Sequence, residues 1–181
     1  MPPARESKSA RGHATSRDVA VYTGMFDPIT VGHLDVIERA AGIFRRVVVG
    51  VGTNADKRPM FSVEERVALV RECVAEMPRV VVTKFEGLAV RFVQSQGAAV
   101  IVRGVRSAAD LEYELTMARA NRVLAATVET VLLPASEGLS HISSSLIRQI
   151  AREAGEQELV KFVPRPVIGP LLRKVQQAAE R

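Results

Sequence analysis

The residues of this chain best suited to chemistry lie in four polar turns, each of which follows a short apolar run. The first is Tyr22-Thr23-Gly24-Met25-Phe26-Asp27-Pro28-Ile29-Thr30-Val31-Gly32-His33. Gly24 admits close approach of backbone to a ligand, Asp27-Pro28 makes a turn, and Thr30 can cap a helix whose first turn carries Gly32 and His33. A helix N-terminus behind a glycine-bearing turn suits phosphate, because unpaired N–H groups and the helix dipole both favour an anion. The second turn carries Lys57. The third is Arg103-Gly104-Val105-Arg106, whose guanidinium forks match phosphate oxygens. The fourth runs from Leu139 through Ser140 and His141 to Ile142-Ser143-Ser144-Ser145, where a serine can cap another helix. Gathered at one edge, these turns describe a polyphosphate pocket.

Several chemistries are argued against. No GxxxxGK[ST] or GxGxxG run is present, which speaks against a P-loop kinase or a dinucleotide oxidoreductase, and no Cys/His cluster has metal-ligand spacing. Such a pocket would stabilise charge chiefly with side chains and backbone donors. That suffices for nucleotidyl transfer, which needs two phosphate-bearing reactants held in line and the charge on the reacting phosphate neutralised. Magnesium would ride on the nucleotide's phosphates rather than in a protein cage.

The elements that must position these turns follow from hydrophobic periodicity. Strands are predicted over 19–22, 46–52, 80–83, 98–102 and 128–133, the valine-rich second one suiting burial on both faces. Between them, helical spacing predicts helices over 32–44, over 63–77 behind the capping box Ser62-Val63-Glu64-Glu65, a short one near 88–93 ended by Gly97, and one over 107–124. The last of these sets Leu111, Leu115 and Ala118 on one face and Asp110 and Glu114 at i, i+4. A further helix is expected from the serine run through Ile150 and Ala154, and a last one begins or kinks near Ile168, because Pro170 cannot sit deep inside a helix. Five strands alternating with helices predict a single α/β domain with a doubly wound, mostly five-stranded parallel sheet. Ligands of such sheets collect beyond the carboxyl ends of the strands, where all four turns fall.

At 181 residues, 47% of them hydrophobic and 25% charged, the chain reads as one soluble globular domain. No apolar run approaches the ~18 residues that cross a bilayer, and no signal-peptide core opens the sequence, so no membrane role and a cytoplasmic location are expected. The single cysteine, Cys73, suits a reducing compartment and, at helical spacing with Val70 and Met77, reads as core packing. The net charge of +5 is uneven: residues 1–17 hold +3 of it. That stretch reads as a disordered basic extension, with an organelle transit peptide as the alternative, and residues 18–181 as the folded domain. A nucleic-acid-binding module is the reading from another class. The small surplus of the body and only six Phe and two Tyr count against it.

Thr30-Val31-Gly32-His33 resembles the T/HxGH motif of the adenylyl- and cytidylyltransferase superfamily, and Ile142-Ser143-Ser144-Ser145-Leu146-Ile147-Arg148 is similar to its ISSxxxR/K motif. More narrowly, GxFDPITxGH, KRPMFSVEER, RGVRSAADLEYE and HISSSLIR, in this order, resemble the bacterial phosphopantetheine adenylyltransferases over roughly residues 18–165. The resemblance implies transfer of the adenylyl group of ATP to 4′-phosphopantetheine, giving dephospho-coenzyme A and pyrophosphate. It also implies a homohexamer and inhibition by coenzyme A. Carried over by position, His33, Lys57 and Arg106 are catalytic: His33 stabilises the transition state at the α-phosphorus and Lys57 orients the acceptor phosphate. Met25, Phe26, Gly104, Val105, Arg106, Glu114 and Leu139 to Ser145 (Leu139, Ser140, His141, Ile142, Ser143, Ser144, Ser145) join His33 on ATP. Met25, Lys57, Ala89 and Arg103 meet the acceptor. Glu114 would act there through adenosine, magnesium or a neighbouring arginine.

The chain departs from that pattern in places. Met25 stands where the family usually has Thr or Ser, whose hydroxyl touches the acceptor phosphate; methionine has no such donor, although its backbone N–H remains. Leu139 and His141 stand where the family often has aromatic residues, and His141 reads as a loop substitute rather than a second catalytic histidine. A sibling reading keeps the chemistry and changes the acceptor, to a nicotinamide nucleotide or a glycerol phosphate.

Overall fold

The structure is a computed structural model that describes residues 16–53 and 59–180. Lys57 and residues 1–15 of the extension expected over 1–17 lie outside the described residues. Strands β1 (Ser16–Gly24), β2 (Arg46–Gly52), β3 (Val80–Phe85), β4 (Ala98–Val105) and β5 (Glu129–Pro134) form one sheet in the order β3-β2-β1-β4-β5. Every pairing is parallel. The chain winds outward from β1 to β3, then crosses back to β4 on the other side of β1. The topological switch point, and with it the natural crevice, therefore lies between β1 and β4.

Helices α1 (Val31–Ile43), α2 (Val63–Cys73), α3 (Ala89–Ser95), α4 (Ala108–Leu124), α5 (Ser144–Ile150), α6 (Glu156–Leu159) and α7 (Arg165–Ala179) cover the two faces. Strand alternation divides the core accordingly. Ala20, Tyr22, Val47, Val49 and Val102 pack with Val36 and Ile37 of α1, Val67 and Val70 of α2, and Val167 and Leu171 of α7. Val21, Val48 and Ile101 face the other way, onto Val90, Phe92 and Val93 of α3. No helix among the described residues is long and apolar enough to cross a membrane. Cys73 is half-buried against the larger cluster, and burial pushes its thiol up to about 12, as its packing role requires.

Several element limits differ from the sequence reading, α2 ending at Cys73 and β3 running to Phe85 among them. β1 starts at Ser16, whose N–H donates to the Gly97 carbonyl at 2.8 Å, so Ser16 and Arg17 belong to the folded domain rather than to a tail. β4 runs to Val105, because Arg103, Gly104 and Val105 pair with Leu132, Leu133 and Pro134 of β5. The expected basic turn is thus a strand end. α5 stops at Ile150, and α6 starts afresh behind Gly155, whose N–H donates to Glu158 Oε2 at 2.9 Å. α7 begins at Arg165 and continues through Pro170. Proline there removes only the bond that would run back to the Pro166 carbonyl, while the buried side chains of Val167, Ile168 and Leu171 hold the helix on the core.

α4 packs in an unexpected way. Its one buried residue is Glu114, whereas Leu111 and Leu115 remain 40% exposed. A carboxylate turned inward beneath an apolar surface requires a cationic partner, and that partner belongs to the site.

Candidate active site

A cavity of about 340 Å³ opens at the carboxyl edge of the sheet where β1 adjoins β4. Tyr22, Thr23, Gly24 and Met25 line it from the end of β1, and Arg103, Gly104, Val105 and Arg106 from the end of β4. Thr30 and His33 reach it from the start of α1, and Ile142 to Ser145 with Arg148 contribute another wall. The first, third and fourth polar turns therefore do converge.

His33 is held in one state by its own helix. Thr30 caps α1 through Oγ1, which accepts from the His33 N–H at 3.2 Å, and the Thr30 N–H donates to His33 Nδ1 at 3.1 Å. This is a capping box in which histidine takes the place of the usual glutamate. Because Nδ1 accepts, the ring hydrogen sits on Nε2. Desolvation, then the nearby charges of Arg106 and Arg103, lower the His33 pKa from its ordinary 6.5 to about 4. At neutral pH the imidazole is an uncharged Nε2–H donor at a helix N-terminus. In an NMR titration of the free protein, the His33 resonance should show no midpoint between about pH 5.5 and about pH 7.5; a midpoint near the ordinary value would refute this state. The same shift makes the unfolded chain bind more protons than the native one between the two values. Stability should therefore decline as pH falls through that window.

The turn between His33 and β1 is fixed from several sides. Phe26 adopts φ 48, a left-handed conformation uncommon for an aromatic residue, and its buried ring meets the His33 imidazole edge-on at 5.1 Å. Gly24 makes room for that ring: a Cβ there would stand 3.0 Å from Phe26 Cζ. The Asp27 carboxylate accepts from the N–H groups of Met60 and Phe61 at 2.9 and 3.0 Å. Arg66, only 2% exposed, donates to the carbonyls of Met25 (2.7 Å), Gly52 (2.8 Å) and Phe61 (3.2 Å). From α5, Arg148 donates to the Asp27 carbonyl at 2.5 Å and the Ser144 hydroxyl to the Pro28 carbonyl at 2.9 Å.

Arg103 and Arg106 are each aimed by a carboxylate. Glu114 takes Arg103 in a fork, with Nε to Oε2 at 2.8 Å and Nη2 to Oε1 at 2.6 Å. Burial works against the Arg103 charge, but the Glu114 bonds outweigh it and raise its pKa. Arg106 Nε donates to Asp110 Oδ2 at 2.9 Å, and its Nη1 to the Ile142 carbonyl at 2.9 Å, which ties β4 to the serine-bearing wall. The Arg106 bond also holds the Asp110 carboxyl below the ordinary range. Of the three partners expected for Glu114, the neighbouring arginine is the one it contacts.

Of the residues predicted for the site, Met25, His33, Arg103, Gly104, Val105, Arg106, Glu114, Leu139, Ile142, Ser143, Ser144 and Ser145 line the cavity. Phe26 does not: it lies beneath as a buttress for the imidazole. Ser140 and His141 are exposed beside it, with the His141 ring edge-on to Phe162 at 6.1 Å. Ala89 opens α3 and is not among the lining residues, and Lys57 lies outside the described residues. The reading passed over Tyr22, Thr23, Asp27, Asp110 and Arg148 as cavity residues. Arg148, Asp27 and Asp110 stand within the quoted motifs, while Tyr22 and Thr23 carry no signal beyond their place at the end of a strand.

Residues 21–150 match the Cytidylyltransferase-like family. The chain is 52% identical over 161 residues to a phosphopantetheine adenylyltransferase of Rhodopirellula baltica, covering 88% of this chain and 90% of that one. It is 49% identical over 157 residues to one of Clostridium perfringens, covering 87% and 94%. In structure it is similar to the Plasmodium falciparum nicotinic acid mononucleotide adenylyltransferase complexed with NaAD, with a TM-score of 0.62 at 13% identity, over 88% of this chain and 95% of that one. That last likeness carries the fold alone. Motifs, cavity and relatives agree, and the chain belongs to the phosphopantetheine adenylyltransferase family of cytidylyltransferase-like nucleotidyltransferases.

Proposed function

We propose that this protein transfers the adenylyl group of ATP to 4′-phosphopantetheine in coenzyme A biosynthesis. The observation that carries the reading is the neutral His33, fixed at the start of α1 beside two carboxylate-aimed arginines in one cavity. An oxygen of the acceptor phosphate attacks the α-phosphorus of ATP. A P–O bond forms there as the bond to the β-phosphate's bridging oxygen breaks, and pyrophosphate leaves with that electron pair. No general base is needed, because the attacking phosphate is already largely ionised near neutral pH. The His33 Nε2–H donates to the α-phosphoryl oxygens as charge gathers on them, and the arginines hold the two phosphate groups in line. We assign Lys57 to the acceptor phosphate on the family motif.

Magnesium would enter on the ATP phosphates and offset their charge. The cavity carboxylates fit that arrangement better than a protein cage, since Asp27, Asp110 and Glu114 each already accept from protein donors. Coenzyme A, which contains the acceptor's pantetheine arm, would inhibit by competing for the same cavity. We further propose a cytoplasmic homohexamer. The apolar side chains that α4 leaves open, among them Leu111, Tyr113, Met117 and Leu124, are surface for another copy to cover.

Acceptor choice is tested by supplying ATP and Mg2+ with 4′-phosphopantetheine, nicotinamide mononucleotide or glycerol 3-phosphate, and identifying the adenylylated product by mass. Dephospho-coenzyme A should dominate. Preferred adenylylation of either alternative would move the protein to the sibling reading.

A further inference from the structure

Thr23 is the penultimate residue of β1, only 6% exposed, and it lines the cavity. Alternation along the strand sends Tyr22 to the α1 face, where it belongs to the larger core cluster, and sets Thr23 with Val21 on the α3 face. Arg103 is on that same face, two residues beyond Ile101 and gripped by Glu114 of α4. Arg103 Nη1 donates to the Thr23 carbonyl at 2.5 Å and lies 3.5 Å from Thr23 Oγ1. Three of the five Arg103 N–H groups are thereby occupied by Glu114 and the Thr23 carbonyl, and the rest remain for an anion. A hydroxyl that faces a guanidinium presents its lone pairs to it and keeps its own hydrogen to donate. No acceptor among the described residues takes that hydrogen. Met25 lines the same cavity, and its thioether has no hydrogen to give.

We propose that the Thr23 hydroxyl, paired with Arg103, is a specificity-determining donor to the phosphate of the acceptor, supplying from β1 the hydrogen bond that the Met25 side chain cannot. The assignment rests on the adenylyl-transfer reading above. It divides the cavity across the tip of β1: Tyr22 and His33 border the nucleotide side, Thr23 and Arg103 the acceptor side. Tyr22, whose pKa burial pushes up to about 12, stays protonated and adds no charge to the cavity.

The test uses Thr23→Val, which keeps the β-branched shape, Thr23→Ser, which keeps the hydroxyl, and Thr23→Val combined with Met25→Thr, which moves the hydroxyl two residues along. Calorimetry on the full chain gives Kd for 4′-phosphopantetheine, for pantetheine without its phosphate, and for ATP. Thr23→Val should weaken 4′-phosphopantetheine about tenfold or more, as expected for a lost bond to a charged group, with pantetheine and ATP unchanged. Thr23→Ser and the combined variant should recover the affinity. Wild-type affinity in Thr23→Val, or equal loss of phosphopantetheine and pantetheine, would overturn the assignment alone. A wild-type protein that neither binds nor adenylylates 4′-phosphopantetheine would overturn the functional reading, and this assignment with it.

Discussion

Replacing His33 by alanine should lower kcat at least ~10²-fold while the protein stays folded, because the change removes one preorganised donor aimed where charge develops. The fold should survive since Thr30 Oγ1 still caps α1 by accepting the backbone N–H of residue 33, and the imidazole is not part of the hydrophobic core. Steady-state kinetics with circular dichroism on the same sample checks both halves. Wild-type turnover in a folded variant would remove His33 from the mechanism.

The second large effect concerns Arg66. Changing it to methionine keeps a long stem packed in the same space but leaves the carbonyls of Met25, Gly52 and Phe61 without their donor. An unsatisfied buried polar group costs ~1–3 kcal/mol, so losing the donor to the buried Gly52 and Phe61 carbonyls, and to the partly buried one of Met25, should destabilise the protein by at least ~2 kcal/mol. Urea unfolding reads this directly, as a lower midpoint with an unchanged slope. A loss under ~1 kcal/mol would show that the carbonyls find water or other donors.

What could be read from the sequence follows the range of the interactions. The parallel sheet was legible because five short apolar runs, separated by helical periodicity and punctuated by capping residues, leave few topologies. The end of β4 was not: Arg103 is a polar residue, and only its pairing with Leu132 reveals that the strand continues. Thr30 was legible as a cap, but its second task, fixing the His33 tautomer, needs histidine to occupy the capping-box position normally held by glutamate. Asp27 read as a turn residue because its partners Met60 and Phe61 are more than thirty positions away, and Arg66 reaches Met25 across 41. Glu114 looked like one of several possible contacts on a helix surface. Its inward direction, and hence its choice of Arg103, depends on how α4 packs, and the exposed leucines show that its apolar residues do not set that packing within one chain.

These long-range bonds also explain why the site is stiff where it must be. The Met25 to Pro28 turn is held from α2, from the segment before it and from α5, so the position of His33 relative to Arg103 does not depend on any single loop. Such over-determination lets one neutral donor be placed for a charge that exists only in the transition state.

The measurement that bears most directly on this account is release of pyrophosphate from ATP and Mg2+ by the purified protein, with and without 4′-phosphopantetheine. The account predicts release that depends on the acceptor, with dephospho-coenzyme A formed in equal amount. Pyrophosphate release indifferent to 4′-phosphopantetheine, or ATP binding with no release at all, would contradict it.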